Sequence, residues 1–198
     1  QTQTLGHART MDGIEMAAIM LGTTPEGLRA RPVLLGIINT NSPLQLDIPM
    51  AEGLIAMAAH GQVVAITPFT LSGAMAPVTL AGALTLQHAE ALAGIVLTQI
   101  VRPGVPVMYG AFTSNVDMRS GSPAFGTPEY TKAALASGQL ARHIRVPFRS
   151  SNVTAANEVD AQAAYESQMA LWGALMGGAH LLEHAAGWMH GGLTASVE

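Results

Sequence analysis

The chain has no cysteine, so disulfide bridges and thiolate metal sites are excluded from the outset. Charge is scarce as well: Asp, Glu, Lys and Arg make up 11% of its 198 residues, against roughly 25% in an ordinary soluble domain. The few Lys and Arg residues form no run and the formal net charge is −4. The clustered cations that a phosphate backbone requires are therefore missing, and nucleic acid is excluded as a partner. Long apolar runs are also lacking. The longest stretch free of charge, Gly53 to Ala89, is broken by His60, Gln62, Pro68, Gly73, Pro77 and Gly82, so no membrane span is expected. The chain opens with QTQTLGHART, which has neither an initiator Met nor an apolar signal core and reads as a piece of a longer protein. With no cysteine and no signal, the expected compartment is the cytoplasm.

What is present is apolar: 49% of the residues, enough for a single domain over residues 1–198 with a sizeable core. Such a composition suits a parallel α/β fold, whose strands are covered on both faces. The shortage of charge also predicts a surface that meets other protein, as in a homo-oligomer.

Short β-rich runs recur at 33–39 (VLLGIIN), 63–68 (VVAITP), 105–111 (VPVMYGA), 144–149 (IRVPFR) and 179–186 (AHLLEHAA). Helical patterns separate them. Asp47 and Pro49 start one helix that runs to about His60, and Thr127, Pro128 and Glu129 start another that runs to about His143. Residues 80–101 place Leu84, Ala91, Leu92, Ile95 and Val96 on one face, and 160–177 do the same with Ala161, Tyr165, Met169, Trp172 and Met176. The strand spacing is that of one βα unit each time, which predicts a parallel sheet. Two architectures satisfy it, an open doubly wound sheet and a (β/α)8 barrel; INTNSPL is not the glycine-rich dinucleotide fingerprint. Five units, preceded by the helix MDGIEMAAIML, would make only a central portion of a barrel.

In either architecture the chemistry belongs in the loops after the strands. Of the two Trp, three Tyr and four Phe, Phe69, Tyr109, Phe112, Phe148 and Trp188 lie at or just past strand ends. Grouped rings of this kind suit a cationic ligand, because their faces attract an ammonium group; ordinary packing is the competing reading. Asp117, Arg119 and Arg149 stand in the same loops, and Asp160 and Glu166 stand at the start of the last helix. Glu90, mid-helix, is read as structural. The segment HLLEH, His180 to His184, has the look of a zinc-hydrolase signature built on His180, Glu183 and His184. At a strand position, however, residues four apart are about 13 Å apart along the chain, so no metal is expected. His184 is instead expected at the site mouth and His180 in the interior, or both as satisfied core imidazoles. No nucleophile elbow with a Ser, His and Asp order is present.

The loops carry a family resemblance. NTNSPLQLD, GAMAPVTLAGALTLQHAEALAG, QIVRPGVPVMYG, DMRSGSPAFGTPEYTKAALASGQLAR, DAQAAYES and GGAHLLEHAAGW together make residues 32–192 resemble the trimethylamine methyltransferase family of corrinoid-dependent methyltransferases. The resemblance implies a (β/α)8 barrel that moves a methyl group from a methylated amine to the cobalt of a cobalamin carried by a separate corrinoid protein, with no cofactor bound by this chain itself. In the trimethylamine-specific members, pyrrolysine stands shortly before a D-x-Q motif. Here Asp160 and Gln162 fill that motif and Val153 falls at or next to the pyrrolysine position. The chain is accordingly similar to members without pyrrolysine, the glycine betaine methyltransferases, which act on quaternary amines. The implied substrate-facing set is Asn41, Phe69, Tyr109, Phe112, Asp117, Arg119, Phe148, Arg149, Asn152, Val153, Asp160, Gln162, His184 and Trp188, with Arg119 or Arg149 available to a substrate carboxylate. The alternative from another class is a non-catalytic fragment that keeps only the interaction surface of the fold.

Overall fold

A computed structural model describes residues 4–197. Along the chain run α1 (His7–Met20), β1 (Leu35–Thr40), α2 (Ile48–Ala59), β2 (Val63–Pro68), β3 (Leu71–Ser72), α3 (Leu80–Val101), β4 (Val107–Gly110) and β5 (Ser114–Val116). They are followed by β6 (Pro123–Ala124), α4 (Pro128–His143), β7 (Phe148–Ser151), α5 (Ala161–Met176), β8 (Leu181–Glu183), β9 (Trp188–Met189) and β10 (Thr194–Ala195). Two compact units result. The first is Gln1–Pro68 with Ala89–Gly110, and the second is Phe69–His88 with Ala111–Glu198.

The first unit is a parallel α/β layer. β1 pairs with β2 from Leu35 opposite Val63 to Thr40 opposite Pro68, and β2 pairs with β4 through Ile66 opposite Tyr109. Its core is Ile14, Leu28, Ile38, Leu54, Met57, Val64 and Ile66. The Asp47 carboxylate caps α2 by accepting the Met50 N–H. β1 starts two residues later than the apolar run because the N–H groups of Val33 and Leu34 both donate to Oε1 of Gln62 rather than to a neighbouring strand.

The second unit pairs β7 with β8 in parallel, Arg149 opposite Leu181 and Ser151 opposite Glu183. Two small sheets, β3–β5–β6 and β9–β10, accompany this pair. Its core is Leu71, Phe112, Val116, Phe125, Tyr130, Val153 and Ala170. β7 begins at Phe148 rather than near Ile144: α4 closes with Arg145 in the left-handed region (φ 58), and Pro147 has no N–H to give a ladder.

The two long helices depart from the expected faces. On α5 the stripe of Tyr165, Trp172 and Met176 is exposed at 60%, 53% and 67%. The buried face is Ala163, Ala170, Gly173 and Ala174, because α5 lies close against α4. A Cβ on Gly138 would stand 1.9 Å from the Gly177 carbonyl oxygen, so only small residues fit that seam. On α3 Ala91 is buried as expected, but Val96 is 55% exposed. By length and composition α3 could cross a membrane. Its buried polar side chains are nevertheless bonded within the protein: Gln87 to Ser137 and Thr113, and Glu90 to Thr40 and Ser42.

Candidate functional site

Strand alternation puts Arg149 and Ser151 on one face of β7 and Phe148 on the other. Phe148 is fully buried there, so it and Arg149 do not share a site surface. Arg149 is 2% exposed and its Nη2 pairs with Oε2 of Glu183 on the neighbouring strand. β8 ends abruptly at His184, which takes a left-handed conformation (φ 55). For a non-glycine residue this is a strained geometry of the kind that turns a side chain out of a ladder. The imidazole lies 6.5 Å from the Phe112 ring and 5.7 Å from Trp188. Burial holds its pKa below the usual imidazole range, the Arg149 charge adds to this, and Glu183 opposes it. The ring is therefore neutral at pH 7.

Around this point the rings gather. Phe69 stacks on Phe112 at 5.1 Å, Phe112 meets Phe125 edge-on at 5.4 Å, and Trp188 stands edge-on to Phe112 at 5.8 Å and to Phe125 at 5.0 Å. The Arg149 guanidinium carbon is 6.0 Å from the Phe112 centroid. Tyr130 completes the group, with its hydroxyl donating to the Ser151 carbonyl at 2.9 Å. Full burial pushes the pKa of that phenol up to about 12.

Val153 is wholly buried in the same cluster. Its loop is held by backbone bonds: Asn152 N–H donates to the Glu183 carbonyl, Thr154 N–H to that of Trp188, and His190 N–H to that of Ala156. Glu166 clamps the loop from α5, accepting the Thr154 hydroxyl at 2.6 Å and the Ala155 N–H at 2.8 Å. Gln162 donates to the other Glu166 oxygen, and Asp160 caps α5 through the Ala163 N–H. Gln162 thus acts on the loop only through Glu166, and Asp160 acts on its own helix. Asn152 accepts the Ser167 hydroxyl and lines, with Thr154, Asp160, Ala163, Ser167 and Met189, a cavity of about 260 Å³.

The remaining expected residues have surroundings of their own. Asn41 and Tyr109 belong to the first unit; Asn41 Oδ1 accepts the Asp47 N–H, and Tyr109 is fully buried. Asp117 and Arg119 sit in an exposed turn. The Asp117 carboxylate accepts the Arg119 N–H and the Ser120 hydroxyl, and these bonds hold its pKa below the usual carboxylate range. His180 is exposed rather than interior, because it precedes β8 and its Nδ1 accepts the Phe148 N–H. With Glu183 on Arg149 and His184 among the rings, HLLEH gathers no ligand set; no group of three candidate metal ligands occurs among the described residues. The residues not foreseen are Phe125, Tyr130 and Ser151. Ser151 could have been found from the alternation that starts at Arg149.

In the second unit, then, aromatic rings gather around one buried ion pair. The family model described as Trimethylamine methyltransferase (MTTB) matches residues 1–198. The chain is 42% identical over 194 residues to a glycine betaine methyltransferase of Desulfitobacterium hafniense (strain Y51), covering 98% of this chain and 40% of that protein. It is 32% identical to a trimethylamine methyltransferase of Methanosarcina barkeri (strain Fusaro / DSM 804), over 89% of this chain and 36% of that protein. It is also 33% identical to a proline betaine:corrinoid methyltransferase of Eubacterium limosum, over 85% and 35%. The chain belongs to the trimethylamine methyltransferase family, and it spans about 40% of the length of the relative with which it shares 42% of its residues.

Proposed function

We propose that this chain is the central part of a (β/α)8-barrel enzyme that takes a methyl group from a quaternary amine of the glycine betaine type and delivers it to the cobalt of a corrinoid held by a separate partner protein. The observation that carries the reading is Val153, wholly buried among the rings. The loop therefore offers no nucleophile or electrophile there with which to activate a tertiary amine. A quaternary ammonium needs no such activation. Its C–N bond breaks with the electron pair left on nitrogen, and the amine departs neutral. The corrinoid, as second substrate, supplies the nucleophilic cobalt(I) that accepts the methyl group.

What this chain does is positional. Ring faces favour the cationic end of the substrate, and the clamped loop fixes one methyl in line with the acceptor, which is where an effective concentration gain arises. The names of the betaine-acting relatives support this substrate class. The enzyme is read as cytoplasmic and homo-oligomeric, with the corrinoid protein docking over the strand ends. Single-turnover methyl transfer to free cob(I)alamin by the full-length protein tests the reading: glycine betaine should be demethylated and trimethylamine should not. Faster turnover of trimethylamine would refute it. The 40% coverage favours one second reading, in which these 198 residues alone retain a docking surface but turn nothing over. Running the same assay on this chain beside the full-length protein separates the two.

A further inference from the structure

Five buried side-chain atoms among the described residues lack a hydrogen-bond partner: Arg149 Nε and Nη1, Ser151 Oγ, Glu183 Oε1 and His184 Nδ1. They are not scattered. Arg149 and Ser151 share a face of β7, Ser151 is in register with Glu183 on β8, and His184 follows directly. Buried polar atoms are nearly always satisfied, so a group of orphans in one place points to a missing ligand or water. Their charges are also informative. Arg149 is neutralised by Glu183, the His184 imidazole is neutral, and the Tyr130 hydroxyl is committed to the Ser151 carbonyl. The cluster is polar, rich in donors and close to zero in net charge.

We propose that the Arg149–Glu183 pair, with Ser151 and His184, is the subsite that receives the carboxylate of a zwitterionic substrate and thereby selects betaines over purely cationic amines. The free guanidinium N–H groups and the serine hydroxyl donate to the incoming oxygens. The ammonium end then meets Phe112, beside which the guanidinium already stands. Charge balance gives the selectivity. A zwitterion adds no net charge to a neutral buried cluster, whereas a cation such as choline adds one that nothing there compensates. Glu183 is the positioning residue: it holds Arg149 in place and cancels its charge before substrate arrives. Arg119, in its exposed turn, is not the carboxylate partner. This inference rests on the quaternary-amine reading above.

Calorimetric titration of the full-length protein with glycine betaine, choline and trimethylamine tests it. Glycine betaine should bind about 10-fold or more tighter than choline. Arg149→Lys keeps the charge but loses the fork, and it should weaken glycine betaine about 10-fold while leaving choline unchanged. The double variant Arg149→Gln with Glu183→Gln, neutral and close in shape, should behave alike, with its thermal midpoint confirming the fold. Equal wild-type affinities for glycine betaine and choline, or an equal loss for both in the variants, would overturn the subsite and leave the quaternary-amine reading standing. Binding of trimethylamine with no binding of either quaternary amine would overturn that reading, and the subsite with it. Should the variants not fold, the wild-type comparison still decides.

Discussion

The buried polar side chains of the first unit are satisfied, whereas one buried polar cluster of the second is not. In the first, Gln62 is fully buried and completely satisfied: Oε1 accepts from Val33 and Leu34, and Nε2 donates to the carbonyls of Leu28 and His60. Glu90 is similar, accepting from the Thr40 and Ser42 hydroxyls and the Leu44 N–H. In the second, Arg149, Ser151, Glu183 and His184 carry buried side-chain atoms without partners. A satisfied network fixes a fold. An unsatisfied one lowers stability, and the proposed carboxylate subsite accounts for its persistence among ring side chains.

This contrast can be broken in graded steps. The largest effect is expected for Glu183→Leu, which leaves the Arg149 charge buried alone and should cost about 3–5 kcal/mol by urea denaturation. Removing both charges in Arg149→Met with Glu183→Leu should instead be neutral or stabilising by about 1–4 kcal/mol, while abolishing selective betaine binding. That outcome would show that the pair is kept for function. In the first unit, Gln62→Leu strands two N–H groups and two carbonyls at once and should cost about 3 kcal/mol, with ligand binding untouched. Tyr130→Phe removes one hydrogen bond to the Ser151 carbonyl and should cost about 1 kcal/mol. Its pH signature is specific. The phenol pKa rises from 10.0 to about 12 on folding, so the unfolded chain loses this proton first. Stability from this group is complete below pH 10 and lost as pH rises towards 12, and Tyr130→Phe should remove that part of the alkaline decline. The smallest effect, within about 0.5 kcal/mol, is expected for Trp172→Gln on the exposed face of α5.

Much of the fold was legible in the sequence. β2 falls on the expected 63–68 and α3 on the expected 80–101, and Asp47 and Thr127 start their helices as expected. Periodicity failed where helix met helix: on α5 it predicts large residues on the buried face, but close packing against α4 selects Ala163, Ala170 and Gly173 instead. It failed at strand starts too, where Gln62 and Pro147 withhold backbone groups from the ladder. Of the candidate site, Phe69, Phe112, Trp188 and His184 could be named from their positions after strands. Tyr130 could not, because it lies on a helix and reaches the Ser151 carbonyl only in the folded chain. The pairing of Glu183 with Arg149 on β7 could not be foreseen; ion pairs between adjacent parallel strands leave no mark in linear spacing.

The most direct test of the contrast between the units is the nitrogen-15 NMR spectrum of the arginine side-chain N–H groups during titration of the full-length protein with glycine betaine. The Arg149 Nε–H signal should shift and become protected from exchange as its orphaned donor finds a partner, while the side-chain amide of Gln62 stays where it is. An Arg149 signal that does not respond at saturating glycine betaine would contradict the account.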